Sequence, residues 1–214
     1  MKKTRRFIRR AITSVVHPLG DLVASPVLEG LYNPRVEGID NLPGEGPYVV
    51  MPKHQSMADP PLVWYALRQA SHHVSPTFFM TPKLFGTKVI PRALFLTGAE
   101  VIYRGRKVIK SLEVFEDELE EGGCPVVFPE GWLFPGYMGK MKKGFFKRAR
   151  RYEEGFGEVV DFLPMGIEYV FTNGGIVRTN VRFGEVLQRG HDEDLEKFME
   201  RTSSAIERLS GLSK

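Results

Sequence analysis

The run Tyr48-Val49-Val50-Met51 constrains the fold more than any other stretch of this chain. It is continuously apolar and lies between breakers, Asn41-Leu42-Pro43-Gly44-Glu45-Gly46-Pro47 before it and Pro52 after it. A strand with one wet face would alternate. A run with no polar position reads as a short buried strand, of the kind found in sheets covered on both sides. Similar pieces recur at 74–81, 100–103, 125–128, 159–163 and 176–187. Between them fall helical patterns at 62–70, at 108–119 (Val108, Ile109, Leu112, Phe115, Leu119) and at 192–209, where Leu195, Phe198, Met199, Ala205 and Ile206 share a face. Strands alternating with helices predict an α/β fold. With 214 residues the chain can bury a real core and forms one domain with a small appendage.

That appendage is the N-terminus. Six of the 30 basic residues lie within the first ten: Lys2, Lys3, Arg5, Arg6, Arg9 and Arg10. The rest of the chain sums to a slight negative charge beneath the overall +4. Over residues 4–23 an apolar stripe (Phe7, Ile8, Ala11, Ile12, Val15, Leu19, Leu22) runs beside the basic face, with Pro18 as a kink or break. Two readings are open: a helix lying in a membrane interface, held by apolar burial and anionic lipid together, or an ordinary helix packed on the body. No uncharged run approaches the ~20 residues of a membrane span, and no signal peptide is expected. The boundary falls in the turn-rich stretch that follows, giving an arm over 1–32 and a body over 33–214.

The chemistry begins just past the first strand. His54 and Asp59 stand five positions apart, and Asp59 precedes Pro60-Pro61, which makes it a candidate helix N-cap. A neutral imidazole takes a proton from an attacking hydroxyl, and a carboxylate on its other nitrogen fixes the tautomer and stabilises the cation. The plain alternative is a surface histidine beside a capping aspartate. Ser56 lacks the Gly-x-Ser-x-Gly elbow of a serine hydrolase. The single cysteine, Cys124, excludes an internal disulfide and a thiolate metal cage, and its apolar neighbours point to a buried, inert thiol. No metal site is expected: His72 and His73 are adjacent and point apart. A nucleic-acid binder using residues 1–10 and 140–151 would not need the apolar stripe.

Four blocks carry a family resemblance. The first runs from Val36-Glu37-Gly38-Ile39-Asp40 through Gly46-Pro47-Tyr48-Val49-Val50 to His54-Gln55-Ser56-Met57-Ala58-Asp59. The others are Gly98-Ala99-Glu100-Val101-Ile102-Tyr103-Arg104, Phe128-Pro129-Glu130-Gly131 and Phe162-Leu163-Pro164-Met165. Together, over about 36–170, the chain resembles the glycerophospholipid acyltransferases, and most closely the bacterial 1-acylglycerol-3-phosphate acyltransferases. The resemblance implies a central mixed sheet flanked by helices, the glycerolipid acyltransferase fold, with an amphipathic helical arm. It implies acyl transfer from acyl-coenzyme A or acyl carrier protein to a lysophospholipid hydroxyl, with no cofactor and no acyl-enzyme. His54 would be the general base and Asp59 its orienter. Arg104 would grip the acceptor phosphate, and Glu130 and Gly131 would shape the acceptor site, a backbone N–H near Gly131 facing the oxyanion. Lys142 and Lys143 would bind substrate or lipid phosphate, or form a solvated helix face. The apolar segment 83–97 would line an acyl channel or belong to the core. The family's third block continues with a small hydroxyl residue and arginine; Trp132-Leu133 stand there instead, so either Arg104 and a nearby lysine suffice for the phosphate or the acceptor is a different, bulkier lipid. The expected location is peripheral, on the cytoplasmic face of a membrane. The alternatives are another lysophospholipid or lipid alcohol as acceptor, or a non-catalytic membrane-binding module.

Overall fold

The computed structural model describes residues 22–44, 46–71, 74–80, 99–101, 108–172 and 177–212. Arg104, the segment 83–97, His72, His73 and nearly all of the predicted N-terminal helix lie outside them.

Seven strands among the described residues form one sheet: β1 (Pro34–Glu37), β2 (Tyr48–Pro52), β3 (Pro76–Met80), β4 (Ala99–Val101), β5 (Cys124–Val127), β6 (Asp161–Phe171) and β7 (Val177–Phe183). Their spatial order is β1-β7-β6-β2-β5-β3-β4. All neighbours are parallel except β6 and β7, which form the antiparallel pair. The helices are α1 (22–32), α2 (Asp59–Ala70), α3 (Val108–Glu120), α4 (Lys143–Phe156) and α5 (Leu195–Leu209). This is the α/β mixed sheet the sequence predicts.

The sheet has a core on each side, and its strands divide their side chains between them. Val50, Val126, Phe78, Leu163 and Met165 pack with Leu62, Val63, Ala66 and Leu67 of α2 and Leu28 of α1. Val49, Met51, Val127, Phe79 and Phe162 pack with Phe115 of α3, Phe146 and Ala149 of α4, and Phe198 and Ile206 of α5. Every residue of β2 is buried. The period-2 alternation of a strand thus carries apolar groups to two covered faces, which is why the 48–51 run contains no polar position. Fully burying one such side chain stabilises by about 1.5–3 kcal/mol.

Two strand expectations needed correction. The strand read as 159–163 extends to Phe171, through Pro164. Proline ends a sequence-based strand because it lacks an N–H. Here Asp161 and Met165 bond towards β2, through Asp161 N–H to Pro47 O and Lys53 N–H to Met165 O, so Pro164 faces the β7 side. It falls between the isolated Phe162–Leu187 bridge and the ladder that begins at Met165–Phe183, where no donor is required. Its carbonyl still accepts Gly184 N–H at 2.9 Å. The second case is Pro34–Glu37, which reads as part of a turn-rich boundary but pairs in parallel with β7 as an edge strand. Its proline opens the strand at the sheet edge, where the lost donor is tolerated.

Helix α1 is bound to the body along one side only. Leu28 is buried, Tyr32 packs on the same core, and Glu29 accepts the Tyr65 hydroxyl of α2 at 2.9 Å. That contact and burial push the Tyr65 phenol up to about 12, burial being the larger cause. Leu22, Val23, Val27 and Leu31 of the same helix are exposed.

Candidate active site

The site sits where β2 and β5, parallel neighbours, reach their carboxyl ends. In open α/β sheets this is where loops from adjacent strands face a common crevice. β2 delivers Lys53 and His54; β5 delivers the turn Phe128-Pro129-Glu130-Gly131.

His54 and Asp59 come together as the spacing predicts. His54 Nδ1 lies 3.0 Å from Asp59 Oδ2, with the Asp59 side chain fully buried. Asp59 is nevertheless not the helix N-cap. Ala58 holds that position without a side-chain cap, and Asp59 is the first residue of α2. Its carboxylate turns back on the loop before it, where Oδ2 also accepts Gln55 N–H at 2.5 Å and Ser56 N–H at 2.7 Å. Two backbone donors and the helix N-terminus hold negative charge on that oxygen. Oδ1 accepts the hydroxyl of Tyr169, from β6, at 2.5 Å. The Phe128 ring stacks on the imidazole at a centroid distance of 4.2 Å and 30°. Nε2 of His54 bonds no described residue.

Glu130 lies behind this pair and is itself fully buried. Lys53 Nζ bonds its two carboxylate oxygens at 2.8 and 2.9 Å. His54 N–H donates to Oε2 at 3.0 Å and Gly139 N–H to Oε1 at 2.7 Å. Lys53 is also wholly buried and completes its donors on Phe134 O at 2.9 Å and His54 O at 3.3 Å. Glu130 therefore shapes the site by fixing the His54 backbone and the 134–139 loop; it has no exposed oxygen to offer an acceptor. Gly139 makes this approach possible, since a Cβ there would lie 2.4 Å from the Phe134 ring.

Gly131 closes the turn that carries Glu130. At φ +68° it occupies the left-handed region that favours glycine. Its N–H donates to Phe128 O at 3.0 Å. Lys142 N–H bonds Pro129 O at 2.7 Å, and the Lys142 stem lies over Gly131, 3.4 Å from where a Cβ would stand. Lys142 thus carries an exposed cation beside the turn that packs on His54. Lys143 opens α4 and pairs with Glu196 of α5 on the surface. The two lysines are adjacent in sequence and placed differently. Trp132 is exposed beside the same turn, as is Tyr137, whose ring meets Phe134 edge-on at 5.5 Å.

Four residues of the site carried no role in the sequence: Lys53, Gln55, Phe128 and Tyr169. Gln55 ties the loops, donating to Ile167 O and accepting Gly136 N–H at 3.1 Å. Tyr169 lies 110 residues from Asp59, and only the fold joins them. Among the described residues no group of three or more His, Cys, Asp or Glu is placed to hold a metal ion.

A sheet covered on both faces, with a histidine–carboxylate pair at the carboxyl ends of its parallel strands, is the architecture of an α/β enzyme. The model of the acyltransferase family matches residues 33–168, well over half of the chain, and the protein belongs to that family. It is an acyltransferase. Its fold is similar to the crystal structure of the 1-acyl-sn-glycerophosphate (LPA) acyltransferase PlsC from Thermotoga maritima, with a TM-score of 0.65 and 19% identity over 100% of this chain and 83% of that one. At that identity the likeness concerns the fold. No curated protein matches the sequence.

Proposed function

We propose that this acyltransferase moves an acyl group from a thioester, acyl-coenzyme A or acyl carrier protein, to the free hydroxyl of a lysophospholipid, 1-acylglycerol-3-phosphate being the first candidate, with His54 as general base. The observation that carries this reading is the 3.0 Å contact between His54 Nδ1 and a buried Asp59 carboxylate, which leaves Nε2 without a partner among the described residues.

In this reading Asp59 accepts the Nδ1 proton, so Nε2 holds the lone pair. Nε2 takes the acceptor hydroxyl proton as its oxygen attacks the thioester carbonyl. The tetrahedral intermediate collapses, the C–S bond breaks, and the thiolate recovers that proton from the imidazolium. An ester and a free thiol result, with no covalent enzyme intermediate. Asp59 stabilises the transient imidazolium, and Lys53 and Glu130 hold the His54 backbone.

Arg104 and Lys142 are the proposed cations for the acceptor phosphate, and Lys143, paired with Glu196, supports α4 instead. The proposed location is peripheral on the cytoplasmic face of a membrane, with residues 1–32 as the attachment. No helix among the described residues is long and apolar enough to cross a bilayer.

The decisive assay combines the purified protein, labelled acyl-coenzyme A or acyl carrier protein and a panel of lysolipids, read by product mass. Wild type is expected to acylate a lysophospholipid, and His54→Ala to lose turnover while keeping its fold. Full turnover in His54→Ala would overturn the base assignment.

A further inference from the structure

We propose that Tyr169 is a positioning residue of the His54–Asp59 pair: its hydroxyl fixes the free oxygen of the Asp59 carboxylate so that the other oxygen stays aimed at the imidazole. The proposal rests on the reading of His54 as the base.

The four donors to Asp59 are not equivalent. His54 Nδ1, Gln55 N–H and Ser56 N–H all converge on Oδ2. All three belong to the loop immediately before Asp59 and would move with it. Tyr169 alone reaches Oδ1, and it comes from β6, near the carboxyl end of that strand, where it pairs with Thr179 of β7. It therefore ties the carboxylate to a rigid element. With Asp59 fully buried, an unbonded Oδ1 would be a buried acceptor without a partner, an arrangement that favours rotation of the carboxylate or its protonation.

The tyrosine is itself held. The Tyr32 ring of α1 meets the Tyr169 ring edge-on, at 6.5 Å and 68°. Burial first, and the Asp59 charge second, push the Tyr169 phenol far above its ordinary value, so it remains a donor at any working pH. The titratable groups facing Asp59 are His54 and Tyr169. Tyr32 faces Tyr169, and Lys53 with Glu130 lies behind the His54 backbone.

Without the Oδ1 hydrogen bond the carboxylate is free to turn from the imidazole, and the imidazolium loses part of its stabilisation. Tyr169→Phe, which keeps the ring against Tyr32, is expected to lower kcat roughly tenfold. Acceptor KM should stay within about twofold, since no contact with substrate is removed. The acid limb of kcat/KM, and the His54 imidazole titration followed by NMR and assigned by its loss in His54→Ala, should both move to lower pH. In an Asp59→Asn background the further effect of Tyr169→Phe should vanish, because the two act as one unit.

Unchanged kcat and an unmoved titration in Tyr169→Phe would overturn the proposal. So would a lower kcat with an unmoved titration, or effects that simply add to those of Asp59→Asn. Failure of the base assignment is distinguishable: His54→Ala would then turn over normally, while the imidazole titration would still report whether Tyr169 acts on Asp59.

Discussion

The carboxylate of Glu130 accepts the backbone N–H of His54 at 3.0 Å while holding the Lys53 ammonium at 2.8 Å, all out of contact with water. A buried ion pair of this kind is costly to break from one side, because the surviving charge stays buried. Glu130→Gln and Lys53→Met are each expected to destabilise the fold by about 3–5 kcal/mol. The double variant should recover part of that loss, since no uncompensated charge remains. Urea denaturation of the three proteins measures this, and a loss below ~1 kcal/mol in both single variants would show the pair to be dispensable.

Asp59→Asn tests the orienting carboxylate directly. An amide of the same shape can turn its NH2 towards His54, which would place a donor opposite Nδ1 and favour the wrong tautomer. It also removes the charge that stabilises the imidazolium. We expect kcat to fall by roughly 10²–10⁴-fold, with the fold retained and the melting temperature lowered, because the buried donors of Gln55, Ser56 and Tyr169 lose carboxylate acceptors. Steady-state kinetics beside circular dichroism decides it; a loss below about threefold would leave Asp59 as a loop-closing residue only.

The sequence made the sheet legible where local chemistry and burial agree. The 48–51 run announced β2, and His54 and Asp59 were found because a five-residue offset is local. Pro164 misled because its missing donor matters only on the side that bonds, and that side depends on which strand lies beside β6. The partners of Glu130 and Gly131 were illegible for a related reason. A motif gives residue types, while the direction of a carboxylate or an N–H is set by partners such as Lys53 and Phe128. Tyr169 was invisible because its strand and its partner are 110 residues apart.

Arg182 of β7 suggests a pH test away from the chemistry. It bonds Glu37 of β1 at 2.9 Å, Glu168 of β6 at 2.7 Å and Leu209 O at the end of α5 at 2.9 Å. The Asn180 amide and then Arg182 hold the Glu168 carboxyl below its ordinary value against the opposing effect of burial. A carboxylate whose folded pKa is depressed adds stability above its unfolded pKa and loses it as pH falls through the folded one. Glu168→Gln should therefore cost about 1 kcal/mol or less at pH 7, given the partial exposure of the pair, and less as the pH falls into the acid range. Chemical denaturation at pH 7 and in the acid range checks the sign; a larger cost at the lower pH would contradict it.

The exposed face of α1 offers a test of the proposed attachment to a membrane. Leu28 and Tyr32 turn inward, whereas Val23, Val27 and Leu31, spaced four apart, present an apolar stripe outward, Leu31 being 61% exposed. A stripe like this continues the amphipathic pattern of residues 4–23 and suits the interfacial region of a bilayer, where apolar burial adds to attraction between basic residues and anionic lipid. Val27→Asp with Leu31→Asp places two anions on that stripe without touching Leu28 or the Glu29–Tyr65 bond. Sedimentation with vesicles containing anionic lipid should fall at least tenfold, with the melting temperature within a few degrees of wild type. Deleting residues 1–24 should release the protein as well. Retention of both variants on the vesicles would move the attachment to another surface, of which the exposed lysines and arginines of α4 are the next to test.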